Sequence, residues 1–375
     1  MNLFDVYPRF KISLTEAKGS YVYDAQGQQY LDLYGGHGVI SIGHSHPHYV
    51  ARLQDQLGKI GFYSNSVGMP IQEDLASKLG QLSGLPGHSL FLCNSGAEAN
   101  ENALKLASFH TGKKKVIAFK NSFHGRTAAT LNVTDNLKLS APINTNNFPV
   151  DLIEMNNLEQ LKSSFKSQDV CAVIVEGIQG VGGLDMPSAD FLEETSRICQ
   201  AHGALLILDE IQSGFGRSGK FFAHQYADIT ADIITMAKGM GNGFPIGGVL
   251  ISPEIKSSPG LLGTTFGGNH LACAASLSVL EILESENLLQ QSAATGEYLV
   301  KELQQIPAIK QIKGKGLMLG VEFDYPIKEL RSKLLLEDFI FTGASANPNL
   351  LRILPPLNIS IDEISPFVHA LKKHV

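Results

Sequence analysis

The middle of the chain alternates short apolar runs with helical patterns. The runs span residues 89–93, 115–119, 170–175, 204–208, 233–237 and 248–251. Several are apolar almost throughout, which is typical of strands buried on both faces of a parallel sheet. Alternating strands and helices predict an α/β domain with helices on both faces of a mainly parallel central sheet.

The clearest helical pattern runs from Ser188 to His202, with Phe191 and Ile198 on its apolar stripe. Ser188 suits the N-cap position because its hydroxyl can accept a bond from a backbone N–H of the first turn. Gly203 suits the position just after the helix, where the chain often turns left-handed. We therefore expect a helix between these two residues.

The two ends of the chain differ from the middle. Residues 21–33 look like a β-hairpin, and residues 317–323 look like a further strand. We expect residues 49–275 to form a large domain. Residues 1–48 and 276–375 are expected to form a smaller α+β domain built from both termini.

Composition narrows the function class. Hydrophobic residues make up 43% and charged residues 18%, which excludes a disordered chain. The net charge is -6 and no run of basic residues exceeds three, so we expect no nucleic-acid partner. The four cysteines form no Cys-x-x-Cys pair, which indicates a reducing compartment. Without a signal-peptide pattern or a membrane-length apolar run, we expect a cytoplasmic protein.

Two short motifs point to chemistry that their surroundings do not support. Residues 214–219 match the Gly-x-Gly-x-x-Gly pattern of a dinucleotide-binding loop, but no good helical pattern begins there; residues 214–220 nearly match a P-loop, but Phe221 stands where a P-loop needs Ser or Thr. His44 and His46 could bind a metal ion from a strand end, yet no further ligands follow in an obvious pattern. We expect a plain glycine-rich loop, a structural turn and no metal site.

Three positions at the ends of predicted strands are better candidates. Ser95, Gly96 and Ala97 open a helix, whose backbone N–H groups can bind an anion. Asp209 ends a buried strand and could hold Mg²⁺ or face a protonated cofactor nitrogen. Lys238 ends another strand, where desolvation favours the free amine that Schiff-base chemistry requires. Taken singly, each also has a structural explanation: a tight turn, a helix cap or a lysine that reaches solvent.

These features gain weight in combination. Together with Phe123, which precedes His124 and Arg126, they supply a phosphate cradle, a ring stack, an acid and a lysine. Pyridoxal phosphate (PLP) needs this set of groups.

At these residues the chain resembles the class III, fold-type I PLP-dependent aminotransferases, and within them the acetylornithine/succinylornithine aminotransferases. The motifs that carry the resemblance are residues 94–101, 123–127, 209–214, 237–239, 264–269 and 351–357. The resemblance covers nearly the whole chain and implies that the large domain binds PLP.

The resemblance also implies roles in cofactor binding. Lys238 would bind PLP covalently, Asp209 would pair with the pyridinium nitrogen, Gln212 would reach the ring hydroxyl, and Phe123 would stack on the ring. Ser95, Gly96 and Ala97 would form the phosphate-binding turn. Thr265 would bind the phosphate held by the neighbouring subunit, which implies a homodimer with shared active sites.

Further positions are implied to bind substrate. Arg126 and Thr264 match positions at the α-carboxylate, and Arg352 resembles the arginine that receives a carboxylate of 2-oxoglutarate. His37 lies where relatives contact the substrate. Lys238 and Asp209 would be the catalytic pair, with Lys238 moving a proton as general base and then acid.

The implied reaction moves the terminal amine of an N2-acylornithine, acetyl or succinyl, to 2-oxoglutarate. It yields an N-acylglutamate 5-semialdehyde and glutamate, a step of arginine biosynthesis. The nearest alternative is another ω-aminotransferase of this fold, acting on ornithine or 4-aminobutyrate. A dinucleotide-dependent oxidoreductase and a non-catalytic binding protein are more distant alternatives.

One residue departs from the family pattern. Val181 stands where the family usually has a glutamate, and in related ornithine aminotransferases that glutamate masks the arginine corresponding to Arg352. Our hypothesis is that Arg352 stays available to an anionic acyl group. This would favour N-succinylornithine over N-acetylornithine.

Overall fold

The structure is a computed structural model that describes residues 1–144 and 147–375. Its strands are β1 (Leu14–Lys18), β2 (Tyr21–Asp24), β3 (Gln29–Asp32), β4 (Ser89–Cys93), β5 (Lys115–Phe119), β6 (Val150–Ile153), β7 (Val170–Glu176), β8 (Leu205–Asp209), β9 (Ile233–Met236), β10 (Gly247–Ile251), β11 (Gln311–Lys315), β12 (Met318–Glu322), β13 (Ile340–Phe341), β14 (Gly343–Ala344) and β15 (Leu350–Ile353).

The helices begin with α1 (Gly35–Gly38), a single irregular turn. The others are α2 (Pro47–Lys59), α3 (Pro70–Ser83), α4 (Gly96–Thr111), α5 (Ala128–Asn132), α6 (Leu158–Ser164), α7 (Ala189–His202), α8 (His270–Ser285), α9 (Leu288–Leu303), α10 (Lys328–Leu336) and α11 (Ile361–His374). Short 3₁₀ turns occur at Leu137–Leu139, Pro142–Asn144, Ala223–Tyr226 and Lys238–Met240.

A seven-stranded sheet forms the centre of the molecule, in the order β4-β10-β9-β8-β7-β5-β6. The pairs β5–β6, β5–β7, β7–β8 and β8–β9 are parallel. Strand β10 runs antiparallel to both of its neighbours, β9 and β4. The prediction of a mainly parallel central sheet is therefore confirmed, with β10 as the reversed strand.

Helix α7 has the predicted termini. The Ser188 hydroxyl accepts a hydrogen bond from the backbone N–H of Phe191 at 3.2 Å, and Gly203 after the helix has a φ of +56°. Phe191, Ile198 and Cys199 are buried on the apolar stripe. Within the described residues, no helix is both long enough and apolar enough to cross a membrane.

The two ends of the chain form two further sheets, β1-β2-β3-β13 and β11-β12-β15-β14. Strand β13 pairs in parallel with β3, so a strand from late in the chain completes the sheet that the first strands begin.

The domain limits after residues 48 and 275 remain a proposal, and both fall within helices. The first falls inside α2 and the second inside α8. A helix forms cooperatively, so its interior is a poor place for a boundary. We propose instead that any division lies at the ends of these helices, before Pro47 and after Ser285.

The register of the parallel strands brings polar residues to one edge of the central sheet. Glu176 at the end of β7 lies opposite Asp209 at the end of β8, and Asp209 lies opposite Thr235 near the end of β9. Lys238 follows β9 by one residue. The carboxyl edge of a parallel sheet is where such folds bind their ligands.

Candidate active site

A cavity of about 420 Å³ lies at the carboxyl edge of the central sheet. It is lined by eight of the residues that the sequence singled out: Ser95, Gly96, Ala97, Phe123, Arg126, Asp209, Gln212 and Lys238. Four others do not line it, namely His37, Thr264, Thr265 and Arg352. The cavity therefore brings together the groups expected to hold a cofactor, except Thr265, and of the expected substrate groups it includes only Arg126.

Lys238 projects from the 3₁₀ turn after β9, with a φ of +47° that non-glycine residues rarely adopt. Such a backbone conformation costs about 1 kcal/mol or more and is typical of functional sites. Burial lowers the pKa of the Lys238 ammonium to about 8, although the carboxylates of Asp209 and Glu176 oppose this effect. A substantial fraction of free amine is thus present at mildly alkaline pH.

Asp209 is buried and held on both oxygens. Its Oδ2 atom lies 2.7 Å from Nδ2 of Asn100 and 2.7 Å from Nδ1 of His124. Its Oδ1 atom accepts a hydrogen bond from the backbone N–H of Ile211 at 3.1 Å. Asn100 is fixed in turn, because its Oδ1 atom accepts a bond from the Thr235 hydroxyl at 2.7 Å. These contacts fix the orientation of the carboxylate at the cavity wall.

Asn100 and His124 are functional residues that the sequence reasoning did not assign. Both residues lie within the motifs at residues 94–101 and 123–127. Nothing in local sequence, however, joins Asn100 on α4 to a strand end more than a hundred residues later.

The N-terminus of α4 forms another wall of the cavity. The Ser95 hydroxyl caps this helix by accepting from the backbone N–H of Glu98 at 3.2 Å. A Cβ atom at Gly96 would lie 2.9 Å from the Ile211 side chain, so the close approach of these segments requires glycine. With Ala97 following, the first turn presents backbone N–H groups and the positive end of the helix dipole to the cavity.

Phe123 and Arg126 lie on the loop after β5. The guanidinium carbon of Arg126 is 6.0 Å from the centre of the Phe123 ring, and Arg126 is exposed at the mouth of the cavity. An aromatic face and an exposed cation are therefore available to one bound molecule.

Gln212 has an unused acceptor. Its Nε2 atom donates to the His37 carbonyl at 2.8 Å, whereas its Oε1 atom is buried and has no partner within residues 1–144 and 147–375. A Cβ atom at Gly180 would overlap with this amide. A buried acceptor without a partner is unfavourable unless a ligand supplies the donor.

His37 lies in a strained turn behind Gln212. Its φ of +70° is in the left-handed region, and its Nδ1 atom lies 2.6 Å from the Tyr34 hydroxyl. Although part of its surface is exposed, the surrounding protein and then the positive charge of Arg352 lower its pKa to about 4. The imidazole is therefore neutral at neutral pH.

Arg352 in β15 is buried close to the cavity. Its Nη1 atom donates to the carbonyl of Gly180 at 2.6 Å, and Gly180 lines the cavity. Its Nε atom is buried without a partner in the described part of the chain. Burial lowers the pKa of this guanidinium below its ordinary value.

Thr264 and Thr265 lie beside the phosphate-type turn rather than in the cavity. The Thr264 hydroxyl accepts from Nδ2 of Asn94 at 3.3 Å and from the backbone N–H of Gly267 at 3.2 Å. Thr265 is exposed, as is the neighbouring Phe266. Thr265 thus does not line the cavity of its own chain.

The glycine-rich loop and the histidine pair His44 and His46 make contacts within the protein. Arg217, in the glycine-rich loop at residues 214–220, is buried and donates to the carbonyls of Ile40, Leu317 and Pro355. This agrees with the expectation of a plain loop. His44 lies 2.9 Å from an Asp32 oxygen and His46 lies 2.9 Å from a Glu286 oxygen.

Comparisons with known proteins agree with this geometry. The class-III aminotransferase family model matches residues 5–375. The chain is 41% identical to the acetylornithine aminotransferase of Bacillus subtilis, covering 100% of this chain and 97% of that protein. It is 39% identical to the acetylornithine aminotransferase of Archaeoglobus fulgidus, covering 99% and 97%. The ornithine aminotransferase of Toxoplasma gondii, solved with partial occupancy of PLP at its active site, has a TM-score of 0.89 and 29% identity, covering 97% of this chain and 90% of that one.

Proposed function

The chain belongs to the class III aminotransferases, and from that premise we propose that it moves the terminal amine of an N2-acylornithine to 2-oxoglutarate. The products would be an N-acylglutamate 5-semialdehyde and glutamate, in arginine biosynthesis. The observation that carries the proposal is the juxtaposition of Lys238 and Asp209 in one cavity, within a chain 41% identical to an acetylornithine aminotransferase.

The cofactor of this family is PLP, and the residues present fit it. The unpartnered Oε1 atom of Gln212 suits the ring hydroxyl, and the α4 N-terminus with Gly96 suits the phosphate. Asp209 would face the ring nitrogen, and Phe123 would contact the ring face. When bound, PLP supplies an electron sink for the carbon that loses its proton.

The protein's own part is to hold and move a proton. Lys238, with a pKa lowered to about 8, suits a general base that takes a proton at Nζ and later returns it. Asn100 and His124 keep Asp209 in one orientation, in which its negative charge would face the cofactor nitrogen. The role of each residue follows from its chemistry and its place in the cavity wall.

Two arginines suit an acceptor with two carboxylates. Arg126 is exposed at the cavity mouth, and Arg352 lies behind Gly180. We propose that 2-oxoglutarate places one carboxylate near each guanidinium, where charge-assisted hydrogen bonds are strong. Thr264 and His37 would complete the polar surroundings.

The alternative of an ornithine aminotransferase has weaker support. The solved ornithine aminotransferase of Toxoplasma gondii is 29% identical, whereas the acetylornithine aminotransferases of Bacillus subtilis and Archaeoglobus fulgidus are 41% and 39% identical over nearly the whole chain. An acylated donor is therefore the better proposal.

We further propose that the acyl group is anionic, so that N-succinylornithine is preferred to N-acetylornithine. Within the described residues Arg352 has no carboxylate partner, and Val181, next to the Gly180 that accepts its bond, lines the cavity without a charge. A Coulomb interaction of about 1–4 kcal/mol at close range would give roughly tenfold or greater discrimination.

A homodimer with shared sites is also proposed. Thr265 is exposed in the single chain and adjoins Thr264, which is bonded beside the phosphate-type turn. Phe266 is 59% exposed, and its ring lies 5.3 Å from that of Phe62, which is also exposed. An exposed aromatic pair beside an incomplete phosphate site suits a subunit interface.

We place the reaction in the cytoplasm. All four cysteines, Cys93, Cys171, Cys199 and Cys273, are free and buried. Free thiols suit a reducing compartment.

The test of the proposed function is a direct assay. Purified holoenzyme, given 2-oxoglutarate and either N-acetylornithine or N-succinylornithine, should form glutamate. Ornithine and 4-aminobutyrate should be much poorer donors. Faster turnover of either unacylated amine would favour the alternative function.

A further inference from the structure

Glu176, at the end of β7, is a buried carboxylate that has no role in the mechanism so far. Its Oε1 atom accepts a hydrogen bond from the backbone N–H of Phe123 at 2.9 Å. Its Oε2 atom accepts from the backbone N–H of Gly180 at 3.0 Å. One side chain therefore joins two separate loops that both line the cavity.

Each of the two loops carries a group of the proposed site. The first presents the Phe123 ring, and the second presents the Gly180 carbonyl that receives the 2.6 Å hydrogen bond from Arg352. A shift of the Gly180 loop would thus move the acceptor that orients the guanidinium.

We propose that Glu176 is a positioning residue whose ionised carboxylate sets the Arg352 subsite, so that protonation of Glu176 weakens the binding of the dicarboxylate substrate. The inference rests on the proposed use of 2-oxoglutarate and glutamate, and it does not depend on which amine is the donor.

The chemistry of the contact requires a carboxylate. An ionised carboxyl group only accepts hydrogen bonds, and here each oxygen receives one from a backbone N–H. A protonated carboxyl group, or a glutamine of the same shape, turns one of these atoms into a donor. That donor would then face a backbone N–H, and one of the two loops would lose its anchor.

The charged groups that face Glu176 come from four other elements. Asp209 lies opposite it on β8, His124 follows β5, Lys238 follows β9, and Arg352 belongs to β15. Burial raises the pKa of Glu176 to about 7; the nearby His124 opposes this rise and the negative charge of Asp209 adds to it. The acceptor form is therefore present above pH 7 and is lost as the pH falls through 7.

The test compares wild-type holoenzyme with Glu176→Gln in the half-reaction with glutamate, followed by the absorbance of bound PLP. We expect the KM for glutamate to rise about tenfold in the variant at pH 8, because one hydrogen bond is lost and its donor is unpaired. In the wild type, this KM should also rise as the pH falls below 7. In Glu176→Gln it should be nearly independent of pH in that range.

A matched control is Glu101→Gln. Glu101 is a partly buried glutamate whose Oε1 atom accepts from two backbone N–H groups, those of Ala129 and Thr130, but it does not line the cavity. The KM of the Glu101→Gln variant for glutamate should match that of the wild type at every pH. Glu176→Asp, which keeps both acceptors, should recover part of the loss seen with glutamine.

An unchanged KM in Glu176→Gln, or the same pH dependence as the wild type, would overturn the inference. Should the glutamine variant fail to fold, a wild-type KM that stays flat between pH 6 and 8 would overturn it equally. Absence of PLP from the wild type would instead contradict the proposed function, and turnover of glutamate without any N-acylornithine activity would contradict only the donor.

Discussion

Two buried arginines, Arg217 and Arg352, differ in how many of their hydrogen-bond donors the protein uses. Arg217 is 2% exposed and donates to three backbone carbonyls, those of Ile40, Leu317 and Pro355. Arg352 is 4% exposed and donates to one carbonyl, with its Nε atom unpartnered among the described residues. Both are charged groups removed from water, and only the first has its hydrogen-bonding capacity largely used by the protein.

We propose that this difference separates a structural cation, Arg217, from a substrate-binding one, Arg352. Burying a charge is expensive unless its donors are satisfied, and Arg217 satisfies them by joining segments from the two ends of the chain. Arg352 has an unpartnered Nε atom among the described residues and is bonded to Gly180, which lines the cavity, so we propose that a substrate carboxylate completes its partners. Burial lowers the pKa of Arg217 to about 9 and also lowers that of Arg352. Spare donors, rather than charge or burial, therefore mark the binding arginine.

Replacement of each arginine by methionine should distinguish the two roles most clearly. Arg217→Met should lower the free energy of unfolding by about 3 kcal/mol or more, because three buried carbonyls lose their donor. Urea denaturation measures this loss. The variant that remains folded should keep its KM for 2-oxoglutarate, and a raised KM with unchanged stability would reverse the assignment of the two arginines.

Arg352→Met should have the opposite result. We expect its KM for 2-oxoglutarate to rise about 100-fold, since charge-assisted hydrogen bonds to a carboxylate are lost. Its resistance to urea should be close to that of the wild type, because only the Gly180 carbonyl loses a donor. Steady-state kinetics and denaturation on the same preparation provide both readouts. Marked destabilisation with unchanged kinetics would show a structural role.

Val181→Glu would give the Arg352 guanidinium a carboxylate partner within the protein. We expect kcat/KM for N-succinylornithine to fall about tenfold, because the new carboxylate competes for the guanidinium. N-acetylornithine should be affected much less, and Val181→Gln controls for size. Equal losses for the two substrates, or a wild-type preference for the acetyl compound, would rule out an anionic acyl group at Arg352.

Lys238 is a third buried cation, and unlike the two arginines it can lose its charge near neutral pH. Because its pKa is lowered to about 8, half of the amine is free near pH 8, and the free fraction levels off about one pH unit higher. Covalent reconstitution of the apoenzyme with PLP should follow this fraction and accelerate about tenfold from pH 7 to 9, whereas an ordinary lysine would accelerate about 100-fold. Stopped-flow absorbance measures the rate. A rate that keeps rising up to pH 10 would show an ordinary lysine.

Much of the central domain could be predicted because its signals are local. Buried strands such as β7 and β8 have apolar runs, and α7 has its caps in the sequence. The reversal of β10 could not be predicted, because an apolar run carries no record of strand direction. The limit proposed after residue 275 falls inside α8, because most of α8 is buried and its pattern lacks a clear polar face that would mark the helix.

The candidate site also contains some residues that local sequence predicts and others that it does not. Lys238, Asp209 and Gly96 follow strands and motifs, and the structure places them around one cavity. Asn100 and Glu176 act through contacts with distant segments, and such contacts depend on how the strands align. The parallel register of β7 and β8 was the available signal, since it places Glu176 beside Asp209.

The central claim is that Lys238 is the lysine to which PLP is bound in an aminotransferase of N-acylornithines. The most direct measurement is borohydride reduction of the purified holoenzyme, followed by peptide mass spectrometry, alongside the glutamate-forming assay. We expect PLP to be fixed on the peptide that contains Lys238. In the Lys238→Ala variant, both the label and the activity should be lost. A wild type without PLP, a label on another lysine or an active Lys238→Ala variant would contradict it.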